Sequence, residues 1–188
     1  MFEKKMTVQL SEDDYVHFNS YHLKNHPAGK KVFAVQLVVM PIVCVLALIL
    51  VWVLSEDLFL LTAEIVALSI VCVLWEIFAK KRLLKQVRKG YRKALKKDPS
   101  FAAPSVMTFT EDYFVEEGKN ETSSLHYAAL KHIGMDEQGV YLYKNDILAY
   151  VLPNRCFYSA QDKAEFTEFV KRKAQEQKNG EITDEKQA

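Results

Sequence analysis

Three side chains have the chemistry of a nucleophile and a base. Cys156 is the one cysteine outside the apolar segments, and His126 and His132 lie six residues apart on predicted strands. A cysteine becomes a nucleophile when a neighbouring base takes its proton, so this pairing is the enzymatic hypothesis that the sequence offers. Phosphate-loop, dinucleotide, zinc-protease and nucleophile-elbow motifs are missing from the sequence. We therefore predict that the protein is not an enzyme.

Metal chemistry has equally little support in the residue pattern. His22 and His26 are four residues apart and share a helix face, but a third ligand is missing. We expect these histidines to be solvent-exposed or hydrogen-bonded rather than metal ligands. Cys44, Cys72 and Cys156 show neither a pairing pattern nor a metal spacing, which predicts reduced structural thiols. The sequence thus implies no cofactor and no metal.

Two long apolar segments dominate the first half of the chain. Residues 32–54 are 23 residues long, and sixteen of them are Val, Leu, Ile or Phe; residues 58–79 are 22 residues long, with thirteen such residues. A helix rises about 1.5 Å per residue, so each segment matches a hydrocarbon core about 30 Å thick. Backbone groups in lipid must be satisfied within the segment, which requires helices. We predict a transmembrane hairpin closed by the short loop 55–57.

The basic residues predict the orientation of this hairpin. Lys30 and Lys31 precede the first segment, a basic run follows the second, and residues 55–57 contain no Lys or Arg. By the positive-inside rule both termini face the cytoplasm.

Glu64 is an acid inside the second apolar segment. It lies six residues from the outer end, with no basic partner nearby in sequence. A charged side chain costs about 2.5–3.5 kcal/mol of insertion free energy at the bilayer centre and less near an interface. The thirteen strongly apolar residues of the segment offset this cost. Glu64 is therefore a candidate proton or cation site or a contact with a partner protein. The alternative is a side chain that reaches the outer headgroups or is partly protonated.

Residues 80–98 are predicted to form a basic juxtamembrane helix with ten Lys and Arg against Asp98. It either continues the second membrane helix into the cytoplasm or bends onto the membrane surface, with Gly90 as a possible bend. Such a run suits anionic headgroups of the inner leaflet, at about 1 kcal/mol per charge before screening. Its position beside a membrane segment favours lipid over nucleic acid, and a topology anchor without lipid specificity is the simpler alternative. The candidate lipid contacts are Lys80, Lys81, Arg82, Lys85, Arg88, Lys89, Arg92 and Lys93.

The two ends of the chain are predicted to be cytoplasmic. Residues 1–31 contain a weak strand at 7–10 and a helix that Ser11 and Asp14 open, and residues 178–188 are predicted to be disordered. Residues 105–177 alternate short β-prone runs with turn signals, followed by a helix that Ser159 and Asp162 open and that ends near Gln177. The predicted strands are 106–110, 113–117, 121–126, 130–135, 139–143 and 147–152.

These elements define the predicted fold class. It is a membrane α-helical hairpin plus a small α+β cytoplasmic domain, an antiparallel half-barrel like that of pleckstrin-homology domains with a C-terminal helix. The strand at 7–10 is available as a seventh strand. This is an analogy of fold, and such folds serve lipid, peptide and protein binding alike.

Several segments resemble the bacterial YcxB-like family. They are the two apolar segments together with SEDDYVHFNSYHLKN at 11–25, MTFTEDYFVEE at 107–117, YVLPNRCFYS at 150–159 and EFTEFVK at 165–171. The resemblance implies a multi-pass protein of the bacterial plasma membrane whose C-terminal domain has no established activity. No catalytic residues follow from it.

The leading functional hypothesis is a membrane-anchored, non-enzymatic binding module. Residues 99–188 carry ten Lys and Arg against fifteen acids, which favours an unknown protein partner, or docking against the basic segment, over anionic lipid as the domain's own ligand. The first alternative is a small transport, immunity or stress accessory acting through the hairpin and Glu64 as a homo-oligomer. The second is an enzyme that uses Cys156.

Overall fold

The computed structural model describes residues 3–54, 57–119 and 121–185, with side chains as far as residue 180. The chain divides into two compact units: a β unit of Met1–Tyr21 and Arg88–Ala188, and a hairpin unit of His22–Val87. The helices are α1 (Glu12–Asn25), α2 (Pro27–Leu54), α3 (Leu58–Lys97) and α4 (Ala160–Glu185). The strands are β1 (Lys4–Val8), β2 (Ser105–Phe109), β3 (Tyr113–Glu117), β4 (Thr122–His126), β5 (His132–Met135), β6 (Gly139–Tyr143) and β7 (Ala149–Pro153).

The hairpin unit consists mainly of α2 and the first three-quarters of α3. The less exposed residues of α3 recur every three or four positions at Leu61, Glu64, Leu68, Cys72, Trp75 and Ala79. This spacing is that of a helix packed along one stripe. The Sγ atoms of Cys44 and Cys72 lie 3.3 Å apart, and the Trp75 indole donates to the Gln36 backbone oxygen at 3.0 Å. The cysteines are free thiols, as predicted.

The remaining faces of these helices present aliphatic side chains outward. In the most apolar stretch of α2 only 6% is buried inside the protein, and in the most apolar stretch of α3 none is. Both helices are long and apolar enough to cross a membrane. A core helix of a water-soluble protein would be mostly buried instead. α2 begins five residues before the predicted segment, at Pro27, and Pro41 lies inside it without ending it. Ser55 and Glu56 of the predicted loop lie outside the described residues.

The β unit contains two antiparallel sheets, ordered β1-β2-β3-β4 and β5-β6-β7. β1 pairs with β2 from Lys4 opposite Phe109 to Val8 opposite Ser105, so the N-terminal strand joins the C-terminal domain as predicted. Within the described residues there are thus seven strands and a C-terminal helix. This arrangement confirms the predicted antiparallel α+β domain.

The core of the β unit lies between the two sheets and α4. The Phe109 ring packs edge-on against Phe166 of α4 at 4.8 Å and stacks with Phe114 at 5.2 Å. The buried hydroxyl of Tyr127 donates to the Thr110 carbonyl at 2.8 Å, which satisfies the one polar atom of that ring. α4 is tied to β1 because Lys4 forms an ion pair with Asp162.

Helix α1 begins with the predicted capping box. The Asp14 amide donates to Ser11 Oγ at 3.2 Å, and the Ser11 amide donates to the Asp14 carboxylate at 2.7 Å. Phe18 is buried against Tyr141 and Tyr143 of β6, with ring centroids 5.5 and 5.8 Å apart. The start of α1 therefore packs on the outer face of the three-stranded sheet.

Several predicted boundaries are wrong, for local reasons. β7 begins at Ala149 rather than residue 147, because the Asn145 side chain accepts hydrogen bonds from the amides of Ile147 and Leu148 and holds both in the turn. β1 lies nearer the N-terminus than 7–10, at Lys4–Val8. β3 and β6 have the predicted bounds.

Two helices extend beyond the apolar segment or the end predicted for them. Residues 80–97 continue α3 to Lys97, the first of the two courses predicted for the basic segment, and Gly90 does not interrupt the helix. α4 continues through Glu185, so the predicted disorder of 178–188 is wrong for 178–185, and residues 186–188 lie outside the described part. Two contacts hold the helix where this stretch begins, because the Gln177 side chain donates to the Asp112 carbonyl and the Lys178 side chain donates to the Leu130 carbonyl.

Candidate functional site

A cleft of about 390 Å³ opens between the two sheets of the β unit. Its size falls within the range of about 300–1,000 Å³ that is usual for small-molecule sites. Its floor includes Val8 of β1, Met107 of β2 and Val151 of β7, all of which are buried, beside the half-buried Tyr150. The floor is thus apolar, and its three strands come from distant parts of the chain.

The mouth of the cleft carries two ammonium groups. Lys119 follows β3 in the turn to β4, and Lys144 follows β6 in the turn to β7; both are exposed. Among the described residues neither lysine side chain has a hydrogen bond or ion-pair partner. Glu116 also lines the cleft, but its carboxylate accepts a hydrogen bond from the Ser105 hydroxyl at 3.0 Å. The mouth therefore carries two ammonium groups against one carboxylate of the described lining, and this excess of positive charge favours an anion.

Asp98 is a further carboxylate on the Lys119 side. The pKa of the Asp98 carboxyl is below its usual value, mainly because the Ser100 hydroxyl and amide donate hydrogen bonds to it. The positive charge of Lys119 lowers this pKa further, by a smaller amount. Asp98 is chiefly the cap of the short turn Pro99–Ala102 that ends α3. It therefore moderates the positive charge of Lys119 without pairing with it.

Apolar side chains surround the same mouth. Ile147 and Leu148, at the tip of the β6–β7 turn, are 70% and 60% exposed, and Phe101 is 48% exposed. Leu148 and Phe101 also line the cleft. Large apolar side chains exposed around a cleft are typical of a surface that meets another molecule or a lipid phase.

A carboxylate–arginine cluster lies at the start of α1, on the same unit. Arg92 makes two hydrogen bonds to Glu12, at 2.7 and 2.9 Å, and Arg88 contacts Asp13 at 3.0 Å. Arg155 binds both oxygens of Asp14, at 2.9 and 2.6 Å. The cluster comprises Glu12, Asp13, Asp14, Arg88, Arg92 and Arg155.

These contacts shift Glu12 and Asp14 toward their charged forms. The hydrogen bond from Arg92 lowers the pKa of Glu12, and Glu12 in turn raises the pKa of Arg92. Burial alone would raise the pKa of Asp14, but hydrogen bonds from Arg155 and Ser11 outweigh it and lower that pKa. The cluster fastens α1 to the end of α3 and to the segment after β7.

The eight predicted lipid contacts therefore fall into different surroundings. Arg88 and Arg92 are occupied by the acids of α1, and Arg82 stacks over the Trp75 ring with its guanidinium carbon 3.2 Å from the ring centroid. The five lysines of the set are exposed to solvent: Lys80, Lys81, Lys85, Lys89 and Lys93. Lipid contact at these positions stays a prediction.

Glu64 faces the inside of the hairpin unit. It lies on the same stripe of α3 as Leu61, Leu68 and Cys72, and its Oε2 atom is buried. Within the described residues this oxygen has no hydrogen-bond partner. A buried carboxylate oxygen without a partner is costly, which makes Glu64 more than a tolerated surface acid.

Each residue of the enzymatic hypothesis has a contact of its own in the β unit. Cys156 Sγ lies 3.7 Å from the Thr7 carbonyl, and burial raises the pKa of its thiol, so the reactive thiolate is disfavoured. The His126 and His132 rings lie against Tyr113 and Tyr143, respectively. His26 is buried, and its Nδ1 accepts from the Ala28 amide at 3.2 Å. The described residues contain no cluster of three metal-ligating side chains.

The geometry defines a class of protein: two long apolar helices combined with a small α+β domain that is closed by an N-terminal strand. Residues 109–170, about a third of the chain, match the family model described as YcxB-like protein. The predicted resemblance is thus confirmed over the segment from the end of β2 to the middle of α4. Comparisons with curated proteins and with solved structures give no match.

The cleft and the carboxylate–arginine cluster were not predicted from the sequence. Residues 147 and 148 were assigned to a strand, which concealed their exposure in a turn. The acidic run at 12–14 and the arginines at 88 and 92 were visible signals, but their pairing depends on a contact across more than 70 positions. The capping box at Ser11 was the one cue that fixed the start of α1.

Proposed function

We propose that the protein crosses the bacterial plasma membrane twice and presents the β unit at the cytoplasmic face. There the β unit acts as a non-enzymatic binding module for a protein partner. The observation that carries the proposal is the outward aliphatic surface of α2 and α3, which is exposed along nearly its whole length. Lipid is the solvent that makes such a surface stable. Lys30, Lys31 and the basic end of α3 support cytoplasmic termini.

The β unit is suited to binding rather than to catalysis. Two sheets of four and three strands followed by a helix have the order of a pleckstrin-homology-like half-barrel, which supports the analogy of fold. Folds of this kind support binding of several ligand classes. Partial burial raises the pKa of the Cys156 thiol, which disfavours the nucleophilic thiolate and supports a non-enzymatic role.

Alkaline carbonate extraction of native membranes tests membrane insertion. We expect the full chain to stay in the pellet and to enter the supernatant only with detergent. Release by carbonate or high salt alone would contradict insertion of the hairpin.

Chemical cross-linking in native membranes tests the binding module. Phe109 is fully buried, so Phe109→Asp should unfold the β unit, and we expect it to abolish the cross-linked partner while the chain still sediments with membranes. Thr108→Asp, on the opposite face of the same strand, is the matched control and should keep the partner. Equal cross-linking of both variants would contradict a role for the folded β unit.

A second candidate is an accessory to transport, immunity or stress tolerance that acts through Glu64 and through association of several copies. The buried, unpartnered Oε2 atom favours it. Glu64→Gln preserves the shape and removes the charge, so we expect altered sensitivity of cells to ions or membrane-active peptides at unchanged expression. Identical sensitivity of the two strains would exclude this candidate.

A further inference from the structure

The cleft of the β unit combines an apolar floor with a cationic mouth. Val8, Met107 and Val151 form a floor on which a water-soluble anion would make no favourable contact. The floor side chains are almost fully buried, so an apolar group of a ligand gains mainly by covering Leu148, Phe101 and the half-buried Tyr150, at roughly 25 cal/mol per Å² of surface removed from water. The cleft therefore favours a ligand with a hydrocarbon part.

The mouth favours a negative charge on the same ligand. Lys119 and Lys144 come from separate turns and are free of ion pairs within the described residues. They outnumber the one carboxylate of the described lining, Glu116, which accepts a hydrogen bond from Ser105. The exposed Leu148 and Phe101 continue the apolar lining out to the rim. The charge and the hydrocarbon part must therefore lie close together on the ligand.

We propose that this cleft binds a single-chain anionic amphiphile, of which a fatty acid is the simplest. The hydrocarbon chain lies on the floor, and the carboxylate pairs with Lys119 and Lys144. The net negative charge of residues 99–188 does not oppose this site, because the anion meets the local charge of the two lysines. This binding goes beyond the protein-binding role proposed above. In a protein with both roles, the occupancy of the cleft is a signal to the protein partner.

A photoactivatable palmitic acid tests the site in the full chain, reconstituted in phosphatidylcholine nanodiscs. After irradiation, mass spectrometry locates the adducts. We expect them on the peptides that carry the cleft floor, chiefly the β7 segment Ala149–Pro153. The corresponding photoactivatable alcohol, which lacks the charge, should label these peptides about tenfold less, because each exposed ion pair contributes up to about fivefold in affinity.

Matched variants separate the site from general partitioning into lipid. The double variant Lys119→Gln/Lys144→Gln should lower labelling of the β7 peptide about tenfold at subsaturating probe. Lys5→Gln/Lys171→Gln removes two exposed lysines that do not line the cleft and should label like the native chain. Melting of the β unit, followed by the near-ultraviolet dichroism of its buried tyrosines, checks that each variant is folded.

Three outcomes would overturn the proposal: equal labelling by the acid and the alcohol, equal labelling of the two double variants, or adducts confined to α2 and α3. The last result means that the probe dissolves in the bilayer and does not enter the cleft. Carbonate extraction is measured on separate membranes, so a failure of amphiphile binding is distinguishable from a failure of membrane insertion.

Discussion

At the scale of single residues, the ion pair between Lys4 and Asp162 joins the first strand to the last helix. The Lys4 ammonium also lies over the rings of Phe157 and Phe166, 5.5 and 5.6 Å from their centroids. The hydrogen bond from Lys4, together with one from the Tyr158 amide, lowers the pKa of Asp162. A carboxyl with a lowered pKa stabilises the folded state above its unfolded pKa of about 3.9, and that stabilisation is lost as the pH falls through the folded value.

The pH dependence of stability tests this ion pair. We expect the free energy of unfolding of the β unit to fall as the pH is lowered from about 5 towards 2–3, with Glu12 and Asp14 contributing in the same direction. Asp162→Asn should lower stability by about 1 kcal/mol at neutral pH and flatten the acid dependence. Denaturant titrations at several pH values, followed by tyrosine dichroism, measure both effects. An unchanged slope in the variant would mean that Asp162 is not the titrating partner.

Gly139 shows the packing limit at the start of β6. A Cβ atom built on it would lie 2.4 Å from the backbone oxygen of Leu152 in β7, and a backbone atom cannot move aside as a side chain can. We expect Gly139→Ala to cost about 1–3 kcal/mol of unfolding free energy. Gly90→Ala is the control, because apart from the backbone of its own helix no atom of the described residues lies within 4 Å of the Cβ position, and alanine favours the helix. Thermal melts that rank the two variants equally would refute the close approach.

At the scale of elements, the predicted and observed structures differ where a contact between residues distant in sequence sets the ends of a helix or strand. The apolar run of residues 32–54 and the β-prone run of residues 139–143 are local patterns. The end of α2 and both ends of β6 could therefore be predicted, whereas α2 begins five residues before its apolar run. β1 has only Met6 and Val8 as buried residues, and its bounds are set by pairing with β2 about 100 positions away. The cleft needs three such non-local segments together, so no window of the sequence contains its signal.

The dependence of the β unit on β1 can be measured directly. Removing residues 2–8 deletes the edge strand and the buried Met6 and Val8, each worth about 1.5–3 kcal/mol, from a domain whose total stability is of order 5–15 kcal/mol. We expect the truncated chain to lose its tyrosine dichroism and to be cleaved rapidly by protease in the segment 105–177.

Truncation at the other end is the control for this experiment. A chain ending at Asn179 keeps the contacts of Gln177 and Lys178 with the β unit and should resist protease like the full chain. Native-like protection of the N-terminally truncated chain would show instead that residues 105–179 fold without β1. The family match, which begins at Phe109, leaves this question to experiment.

At the scale of the whole molecule, the charge pattern and the two apolar helices together predict an orientation. Cytoplasmic termini require that the start of α3 lies outside the cell and that the β unit lies inside. Leu58 is the first residue of α3, and Tyr158 of the β unit is 98% exposed, so a cysteine at either position is accessible to solvent. The two positions therefore report opposite sides of one membrane.

Labelling with a membrane-impermeant maleimide checks this orientation. With Cys44, Cys72 and Cys156 replaced by Ser, we expect Leu58→Cys to react in intact spheroplasts and Tyr158→Cys to react only after lysis. The physical reason is the asymmetry of basic residues, because Lys and Arg near the ends of membrane helices are retained on the cytoplasmic side. Replacing Lys30 and Lys31 with Gln while adding two lysines in the loop should weaken this bias and produce a mixed population. Labelling of Tyr158→Cys in intact spheroplasts would reverse the topology and place the carboxylate–arginine cluster and the cleft outside the cytoplasm.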